Sequence, residues 1–561
     1  MRPIGVGTAD FKLIKNQNGF LIDKSLLIDD IIASLSEVFL FPRPRRFGKS
    51  LNISMLKYFF EKTEKSNLSL FTELKVAQYP HLMAHQGQYP VIDLSFKDVK
   101  HVTNWVAMYK KFQDILSSEY DKHKYLSDFL TGKNKDYFNA ISQLEDTVDY
   151  SQAILKLSQF LSEYHQQKVV LLIDEYDTPL NDAYLSGLLT EARAYISGLY
   201  GAALKGNNYL FKAVLTGIYR ISKESIFSGL NNLKVCSILD NLGINQFGFT
   251  EAEMEAIFTE YQFTEEQKNE CTSWYNGYIW GDNQTVIYNP WSIVNYISGS
   301  KRLKPYWVNT SANDLIKEMI NNCSIESKKD FEVLLQGGAV FKPIIEDVVF
   351  DHLIDNENVL WSFFFFSGYL KIIKQYQIDD KLYGDFQIVN RELKSIFKDS
   401  VDYWFNKSQT KGKFDVILEN LVKNNLIDFS KYFREFIEKV TSYYDFADKE
   451  PERVYHALVL GMMVNLQSKY RITSNRESGF GRYDIMLHPL QENLPAYIFE
   501  FKKFDSDDEE TIQATLDNAL LQIKTRNYAA TLQQEGFQNI QLIAIAFKGK
   551  EAKMCWEKVV D

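Results

Sequence analysis

The sequence predicts an α/β protein in three parts: an N-terminal parallel sheet covered by helices, a mainly helical middle region and a C-terminal α/β domain. In the N-terminal part, short apolar runs alternate with helix-like stretches, as in a parallel sheet. Beyond residue 248, helical segments separated by turns replace that alternation. The C-terminal part shows the order strand, turn, strand, helix, strand. The length of 561 residues also indicates several domains, since one hydrophobic core rarely grows beyond about 250–300 residues.

The N-terminal elements are short apolar runs bounded by polar residues. Such runs suit strands that are buried on both faces of a parallel sheet. The predicted strands lie at 38–41, 90–94, 169–173 and 213–215. Helix-like stretches separate them, among them 51–61 and 104–119.

Two sequence features predict the domain boundaries. Thr250 followed three residues later by Glu253 forms a capping box, which marks a helix start. The polar stretch NKSQTKGK at 406–413 is rich in turn formers. We therefore predict an ATPase-type domain at 1–247, a helical lid or coupling region at 248–405 and a third domain at 406–561.

Composition limits the classes of function. The net charge of -10 excludes a protein that coats nucleic acid through bulk charge, so any such contact needs a local basic patch or a metal ion. The four cysteines are scattered without CxxC spacing, which favours buried thiols in a reducing compartment. The N-terminus lacks an apolar signal-like segment, and runs such as 361–366 are far shorter than the about 20 residues of a membrane span. We expect a cytoplasmic protein without a membrane anchor.

A candidate phosphate-binding loop follows the first predicted strand. The motif RPRRFGKS at 43–50 ends in Gly48, Lys49 and Ser50, which supply backbone N–H groups, an ammonium for the β- and γ-phosphates and a hydroxyl for Mg²⁺. Arg43 stands where the GxxxxGK[ST] pattern expects glycine. Taken alone, the motif also fits a simple helix start.

Two later strands end in polar residues that complete a nucleotide site. The apolar run 169–173 is followed by Asp174, which would hold Mg²⁺, and Glu175, which would polarise the attacking water. Further on, Thr216 would sense the γ-phosphate and Arg220 would reach phosphate. Taken alone, Thr216 fits a plain strand cap better than a phosphate sensor, but the three motifs in chain order predict an ATP site with Mg²⁺.

These motifs resemble the bacterial AAA-ATPase-like family, in which the RPRRFGKS form is itself typical. The resemblance continues in the motifs LIDEYD, LTG, FGFT, WYNGY and YNPWS and covers nearly the whole chain. It implies a P-loop NTPase sheet and an ATP site that includes Phe47. The side chains of Arg43, Arg45 and Arg46 then bind phosphate, act on a neighbouring subunit or pair with acids such as Asp177.

A second constellation lies near the C-terminus. Asp484 opens one strand of a predicted hairpin, and Glu500 and Lys502 lie on the next strand. Because they are two residues apart, Glu500 and Lys502 share one face of that strand. Two carboxylates that hold Mg²⁺, with a lysine beside them, are the set that phosphodiester hydrolysis needs. The alternative is a surface hairpin with polar residues on its wet face.

The motifs ESGFGRYD and EFK resemble the PD-(D/E)XK nuclease domain that proteins of this family usually carry at the C-terminus. The resemblance implies that Glu452 is a further metal ligand, although Glu452 also fits a helix N-terminal charge. Gln522 either faces the site or is solvated, and His456 is more typical of packing than of metal binding. Gly481 is expected to shape the turn, and Arg482 to contact phosphate.

The sequence thus predicts an ATP-binding, ATP-hydrolysing protein with a Mg²⁺-dependent nuclease that acts on nucleic acid, DNA rather than RNA. One alternative is a nucleotide-regulated switch, or a defence or toxin-type effector, with little ATP turnover. Another is a non-catalytic nucleic-acid-binding module. In AAA-like proteins a neighbouring subunit often supplies part of the nucleotide site, so a homo-oligomer is one possible assembly.

Overall fold

The computed structural model divides the chain into two compact units. The first comprises Met1–Asn322 and Gly337–Ser395, and the second comprises Cys323–Gln336 and Ile396–Asp561. The residues that the structure describes are 1–220, 226–227, 230–308, 319–320, 323–346, 357–397, 413–443, 459–460, 462–463, 466–474, 477–478, 481–491, 493–504, 511–548 and 551–559.

A five-stranded parallel sheet forms the centre of the first unit, as predicted. Its strands are β1 (Val38–Pro42), β2 (Val91–Ser95), β3 (Val169–Asp174), β4 (Leu210–Gly217) and β5 (Leu233–Val235). They lie in the order β2-β3-β4-β1-β5, and every pairing is parallel. All residues of β1 and β3 are buried, because helices cover both faces.

Helices surround this sheet and continue through the middle region. Those before residue 220 span Phe11–Asn16, Leu27–Ile32, Lys49–Phe60, Pro80–Met83, Trp105–Lys122, Leu126–Phe129, Gly132–Ser142, Ala153–His165, Thr178–Leu185 and Leu189–Leu204. Those of the middle region span Glu251–Glu260, Glu265–Tyr275, Pro290–Ser298 and Glu357–Phe366. Short 3-10 helices span Leu68–Leu70, Lys75–Gln78, Tyr150–Gln152 and Ile244–Gln246.

The middle region begins with the predicted capping box. The Thr250 side chain accepts a bond from the Glu253 N–H, and the Glu253 side chain accepts one from the Thr250 N–H. Besides its helices, this region carries two small antiparallel sheets that the sequence did not reveal. One has the order β6-β8-β7 (Phe249–Thr250, Thr285–Tyr288, Tyr278–Trp280), and the other β10-β11-β9 (Leu370–Ile378, Lys381–Ile388, Val340–Pro343).

The second unit is built on a mixed sheet in the order β12-β15-β16-β17-β18, with strands Tyr470–Ser474, Ile485–Pro489, Ala496–Lys503, Ile540–Lys548 and Glu551–Lys558. β16 and β17 are parallel, and the other pairs are antiparallel. A short ribbon, β13 (Glu477–Ser478) and β14 (Gly481–Arg482), precedes β15. The helices span Ile325–Leu335, Lys413–Val422, Leu426–Tyr443, Ile512–Thr525 and Ala530–Gln534.

Candidate nucleotide and nuclease sites

The amino acids that were predicted to bind the nucleotide lie together at one edge of the parallel sheet. In the strand register, Phe41 of β1 lies opposite Thr216 of β4, and Ile173 of β3 lies opposite Leu215. The carboxyl ends of β1, β3 and β4 therefore end side by side. In open parallel sheets this is the edge at which ligands bind.

The loop after β1 runs into the helix that begins at Lys49. Gly48 caps this helix with φ 81°, a left-handed conformation that strains any residue with a β-carbon. A β-carbon on Gly48 would meet no atom within 4 Å, so the backbone conformation, rather than space, requires glycine. The first N–H groups of the helix have no partner within it, which makes this end suitable for an anion.

Lys49 points its ammonium group into the loop. Its Nζ atom donates to the carbonyl oxygens of Arg43 and Pro44, each at 2.9 Å. Burial lowers the pKa of Lys49, and the charges of Glu175, Asp177 and Asp174 oppose that shift. A cation held in a dry loop of backbone dipoles is suited to a phosphate chain.

Asp174 joins two hydroxyl groups at the end of β3. Ser50 Oγ donates to its Oδ2 atom at 2.5 Å, and Thr216 Oγ1 donates to its Oδ1 atom at 2.6 Å. Burial raises the pKa of Asp174, while these two bonds act to lower it. A hydroxyl and a carboxylate in contact are oxygen donors of the kind that Mg²⁺ prefers, so this pair fits a nucleotide-bound Mg²⁺ ion.

Glu175 and Asp177 shape the turn after β3. Glu175 has φ 52°, and its Oε2 atom accepts a bond from Thr178 Oγ1 at 3.1 Å. Asp177 is 1% exposed, and its Oδ2 atom accepts the N–H groups of Ile218 and Tyr219 at 2.8 and 3.0 Å. Asp177 thus ties the turn after β3 to the segment after β4.

This tie explains why a glycine ends β4. A β-carbon on Gly217 would lie 2.5 Å from the Tyr176 ring and 2.6 Å from Asp177 Oδ1. Both distances are shorter than non-bonded contact allows. Gly217 therefore permits the close approach of the two segments.

Burial raises the pKa of Asp177 to about 6, against the two backbone bonds that lower it. An acid with a raised pKa binds more protons in the native state, so its contribution to stability falls as pH rises from about 4 to about 6. We expect Asp177→Asn to remove this dependence. The unfolding free energy of wild type minus that of the variant should fall by about 2–3 kcal/mol across this window, since one pKa unit is about 1.4 kcal/mol.

Calorimetric unfolding of both proteins between about pH 4 and pH 7 measures that difference. Asp128→Asn, at an exposed position, serves as the matched control. A wild-type minus Asp177→Asn difference that stays constant with pH would contradict the assignment.

The structure separates the arginines by role. Arg43 is fully buried: its Nη1 atom donates to the carbonyl oxygens of Pro42 and Cys236, and its guanidinium lies 4.9 Å from the Phe247 ring centroid. Burial lowers the pKa of Arg43 to about 10. The contacts of this side chain are therefore with the protein interior, which favours a structural role over phosphate binding.

The other arginines have contacts of a different kind. Arg46 is exposed, with its guanidinium carbon 4.2 Å from the ring centroid of Trp291. Arg220 forms an ion pair with Glu346 of the middle region at 2.6 Å. Arg45 is partly buried, and its backbone carbonyl oxygen accepts hydrogen bonds from the side chains of Asn289 and Trp307 in the middle region.

The middle region forms an outer wall of the loop, here defined as Asn289, Trp291 and Trp307. Trp307 Nε1 and Asn289 Nδ2 donate to the Arg45 carbonyl oxygen at 3.0 and 3.4 Å. The buried Phe47 ring lies 4.8 Å from the Tyr278 ring and 4.9 Å from the Trp280 ring. The motifs WYNGY and YNPWS contain Tyr278, Asn289 and Trp291, but nothing in the motifs alone indicates that these residues contact the loop.

The second unit brings the predicted nuclease residues together: Asp484 directly precedes β15, and Glu500 and Lys502 lie on the adjacent strand β16. Ile485 of β15 lies opposite Phe499 of β16, which puts Asp484 beside Glu500. Asp484 Oδ2 accepts the N–H of Phe501 at 2.7 Å. Glu500 is 2% exposed, and Lys502 Nζ lies 3.3 Å from its Oε1 atom. The strand therefore carries a buried carboxylate and a lysine on one face, as the two-residue spacing predicts.

Gln522 reaches the same carboxylate from the helix Ile512–Thr525. Its Nε2 atom donates to Glu500 Oε1 and lies 3.3 Å from the Tyr528 hydroxyl. Of the two alternatives, the structure shows the one in which Gln522 faces the site. The amide N–H fixes the orientation of the carboxylate without adding a charge beside it.

The structure describes only some of the other residues that were predicted for the nuclease site. Glu452 and His456 lie outside the described residues, and Gly481 and Arg482 form β14, paired with Ser478 and Glu477. Within the ranges that the structure describes, no group of three His, Cys, Asp or Glu side chains is arranged to hold a metal. Asp484 and Glu500 form a pair of carboxylates, a donor set that fits Mg²⁺ with water completing the coordination.

Comparison with known proteins agrees with both ends of the chain. Residues 3–227 match the AAA-ATPase-like family, described as predicted AAA-ATPases, and residues 450–557 match the PD-(D/E)XK nuclease superfamily. Two family models thus match separate parts of the chain, one near each end. The predicted resemblance and fold class are thereby confirmed.

One relative spans nearly the whole chain. It is a protein of Azotobacter chroococcum mcd 1, described as an uncharacterized protein in the vnfD 5' region. It is 24% identical over 564 residues, which cover 97% of this chain and 96% of the relative. The alignment therefore includes both regions that the family models match. Each helix in the described ranges is too short or too polar to traverse a lipid bilayer.

Proposed function

We propose that this chain binds and hydrolyses ATP and cleaves phosphodiester bonds in DNA with Mg²⁺. The observation that carries the proposal is that Asp484, directly before β15, lies beside Glu500 of the adjacent strand β16, with Lys502 on the face of Glu500. A buried carboxylate beside a lysine costs free energy in a purely structural sheet. A metal-dependent hydrolytic site gives that arrangement a use.

In the proposed nuclease site, Asp484 and Glu500 hold Mg²⁺, with Glu452 as a third candidate ligand. When bound, the ion polarises the phosphate and lowers the pKa of a water molecule. Lys502 donates a hydrogen bond to that water molecule or to the phosphate oxygen on which negative charge develops. Gln522 holds the Glu500 carboxylate in one orientation.

In the proposed ATPase site, backbone N–H groups at Gly48 and Lys49 receive the phosphates, and the Lys49 ammonium neutralises their charge. Ser50 and Asp174 hold the accompanying Mg²⁺ ion. Glu175 orients the attacking water, and Thr216 senses the γ-phosphate. Arg45, Arg46 and Phe47 complete the loop.

The proposed division of labour follows the predicted domains: ATPase at 1–247, coupling region at 248–405 and nuclease at 406–561. We place the protein in the cytoplasm, with DNA as its partner. The net charge of -10 agrees with a substrate contact that depends on the metal and on local basic groups rather than on overall charge.

Cleavage assays on labelled single-stranded DNA, double-stranded DNA and RNA test the proposal. With Mg²⁺ we expect DNA cleavage that EDTA stops and that Asp484→Ala abolishes, because one of the two carboxylates is lost. Faster cleavage of RNA would correct the substrate class. Cleavage that survives in Asp484→Ala would refute the site.

A further inference from the structure

Glu392 is a buried carboxylate that the proposed chemistry does not use. It is 2% exposed and lies in the first unit, next to the point where the chain passes into the second at Ile396. Its Oε1 atom accepts the backbone N–H of Trp307 at 2.6 Å, and its Oε2 atom accepts the Ser292 hydroxyl at 2.7 Å. Both donors belong to segments that carry the outer wall of the phosphate-binding loop.

The two segments meet again at one atom of the loop. Trp307, held at its backbone by Glu392, donates its indole N–H to the Arg45 carbonyl oxygen. Ser292, held at its hydroxyl, follows Asn289, which caps the helix Pro290–Ser298 and donates to the same oxygen. Glu392 thus links the two groups that fix the Arg45 carbonyl.

The direction of that carbonyl decides what the loop offers to a ligand. Within one trans peptide unit the C=O and N–H bonds point in opposite directions, and no cis peptide bond occurs among the described residues. Because the Arg45 carbonyl points to the wall, the N–H of Arg46 points away from it. A carbonyl turned the other way would place negative charge in the anion site.

We propose that Glu392 is a positioning residue for nucleotide binding, acting through Trp307 and Ser292 to hold the Arg45–Arg46 peptide with its N–H toward the phosphate site. This inference rests on the proposed nucleotide site. Burial raises the pKa of Glu392 to about 7, although its two hydrogen bonds lower it. A buried acid at this position is therefore less favourable in free energy than an apolar residue of similar size would be.

The test measures the Kd of a fluorescent ATP analogue with Mg²⁺ for folded variants of the full chain. We expect Glu392→Ala to raise Kd about tenfold, in line with the loss of a hydrogen bond to a charged group. Glu392→Gln should stay within about threefold of wild type, because its amide accepts from Trp307 and donates to Ser292. This rescue separates positioning from a general loss of packing.

A second variant keeps the proposal testable if Glu392→Ala does not fold. Trp307→Phe removes the indole donor and retains the backbone N–H, and we expect the same direction of change. In the double variant Glu392→Ala/Trp307→Phe, the increase should be smaller than the product of the single effects, because both act on one carbonyl. Glu260→Gln, whose carboxylate pairs with Arg2 at 2.6 Å, is the matched control and should leave Kd unchanged.

The outcomes distinguish the two levels of the argument. If wild type does not bind the analogue, the nucleotide site itself is wrong. If wild type binds, Lys49→Ala does not, and both Glu392→Ala and Trp307→Phe bind as tightly as wild type, the nucleotide site stands and the positioning role is wrong.

Discussion

Replacing Lys49 by alanine is expected to weaken ATP binding by about a hundredfold or more and to abolish ATP hydrolysis. The Lys49 ammonium is buried in the loop and bonded to two of its carbonyl oxygens. In the bound state those bonds to neutral carbonyl oxygens would be exchanged for bonds to phosphate, in which both the donor and the acceptor are charged. Their loss in a site shielded from water costs several kcal/mol, and about 1.4 kcal/mol corresponds to a factor of ten.

Steady-state phosphate release and the Kd of a labelled ATP analogue measure this effect. Lys57→Ala is the matched control, since Lys57 lies two turns further along the same helix and pairs with Asp93 at 3.0 Å. The control should retain hydrolysis. Undiminished hydrolysis in Lys49→Ala would show that ATP is not bound at this loop.

The same variant tests whether nucleotide occupancy reaches the nuclease. If the middle region couples the two sites, ATP should change the rate of DNA cleavage in wild type and leave it unaltered in Lys49→Ala. Equal cleavage in all four conditions would exclude coupling. The ATPase and nuclease proposals would then stand as separate activities on one chain.

The parts of the fold that the sequence predicted are those fixed by local pattern. Buried runs such as 169–173 are apolar throughout because helices cover both faces of the strand, so their type is legible without the structure. The capping box at Thr250 is a contact between residues three apart and was equally readable. The small sheets of the middle region depend on pairings such as Phe249 with Tyr288, for which local sequence carries little signal.

The site divides in the same way. The two-residue spacing of Glu500 and Lys502 predicted their shared face, and strand order explains why Asp174 and Ser50 meet. The burial of Arg43 among aromatic rings was not predictable from its place in the motif, since its direction depends on Phe247 and Trp280, more than two hundred residues away. The roles of Trp307 and Glu392 likewise arise from long-range packing, and a buried glutamate looks like any surface glutamate in the sequence.

A second large effect is expected at Glu500. Glu500→Gln keeps the volume of the side chain and its ability to meet Gln522, but it removes one of the two carboxylates of the proposed metal site. We expect DNA cleavage to fall by about a thousandfold or more, because a metal that is poorly held can neither polarise phosphate nor activate water, a loss of several kcal/mol. Glu557→Gln on β18, where the carboxylate pairs with Lys524, is the matched control.

Metal binding separates lost chemistry from a damaged fold. Since Gln replaces a buried charged group by a neutral one, the unfolding temperature of Glu500→Gln without metal should equal or exceed that of wild type. Mn²⁺ or Mg²⁺ should raise the unfolding temperature of wild type and of Glu557→Gln, since an ion that binds only the native state stabilises it. The increase should be absent in Glu500→Gln. A variant that still gains stability from the ion yet cuts no DNA would place the metal elsewhere and give Glu500 a role in proton transfer instead.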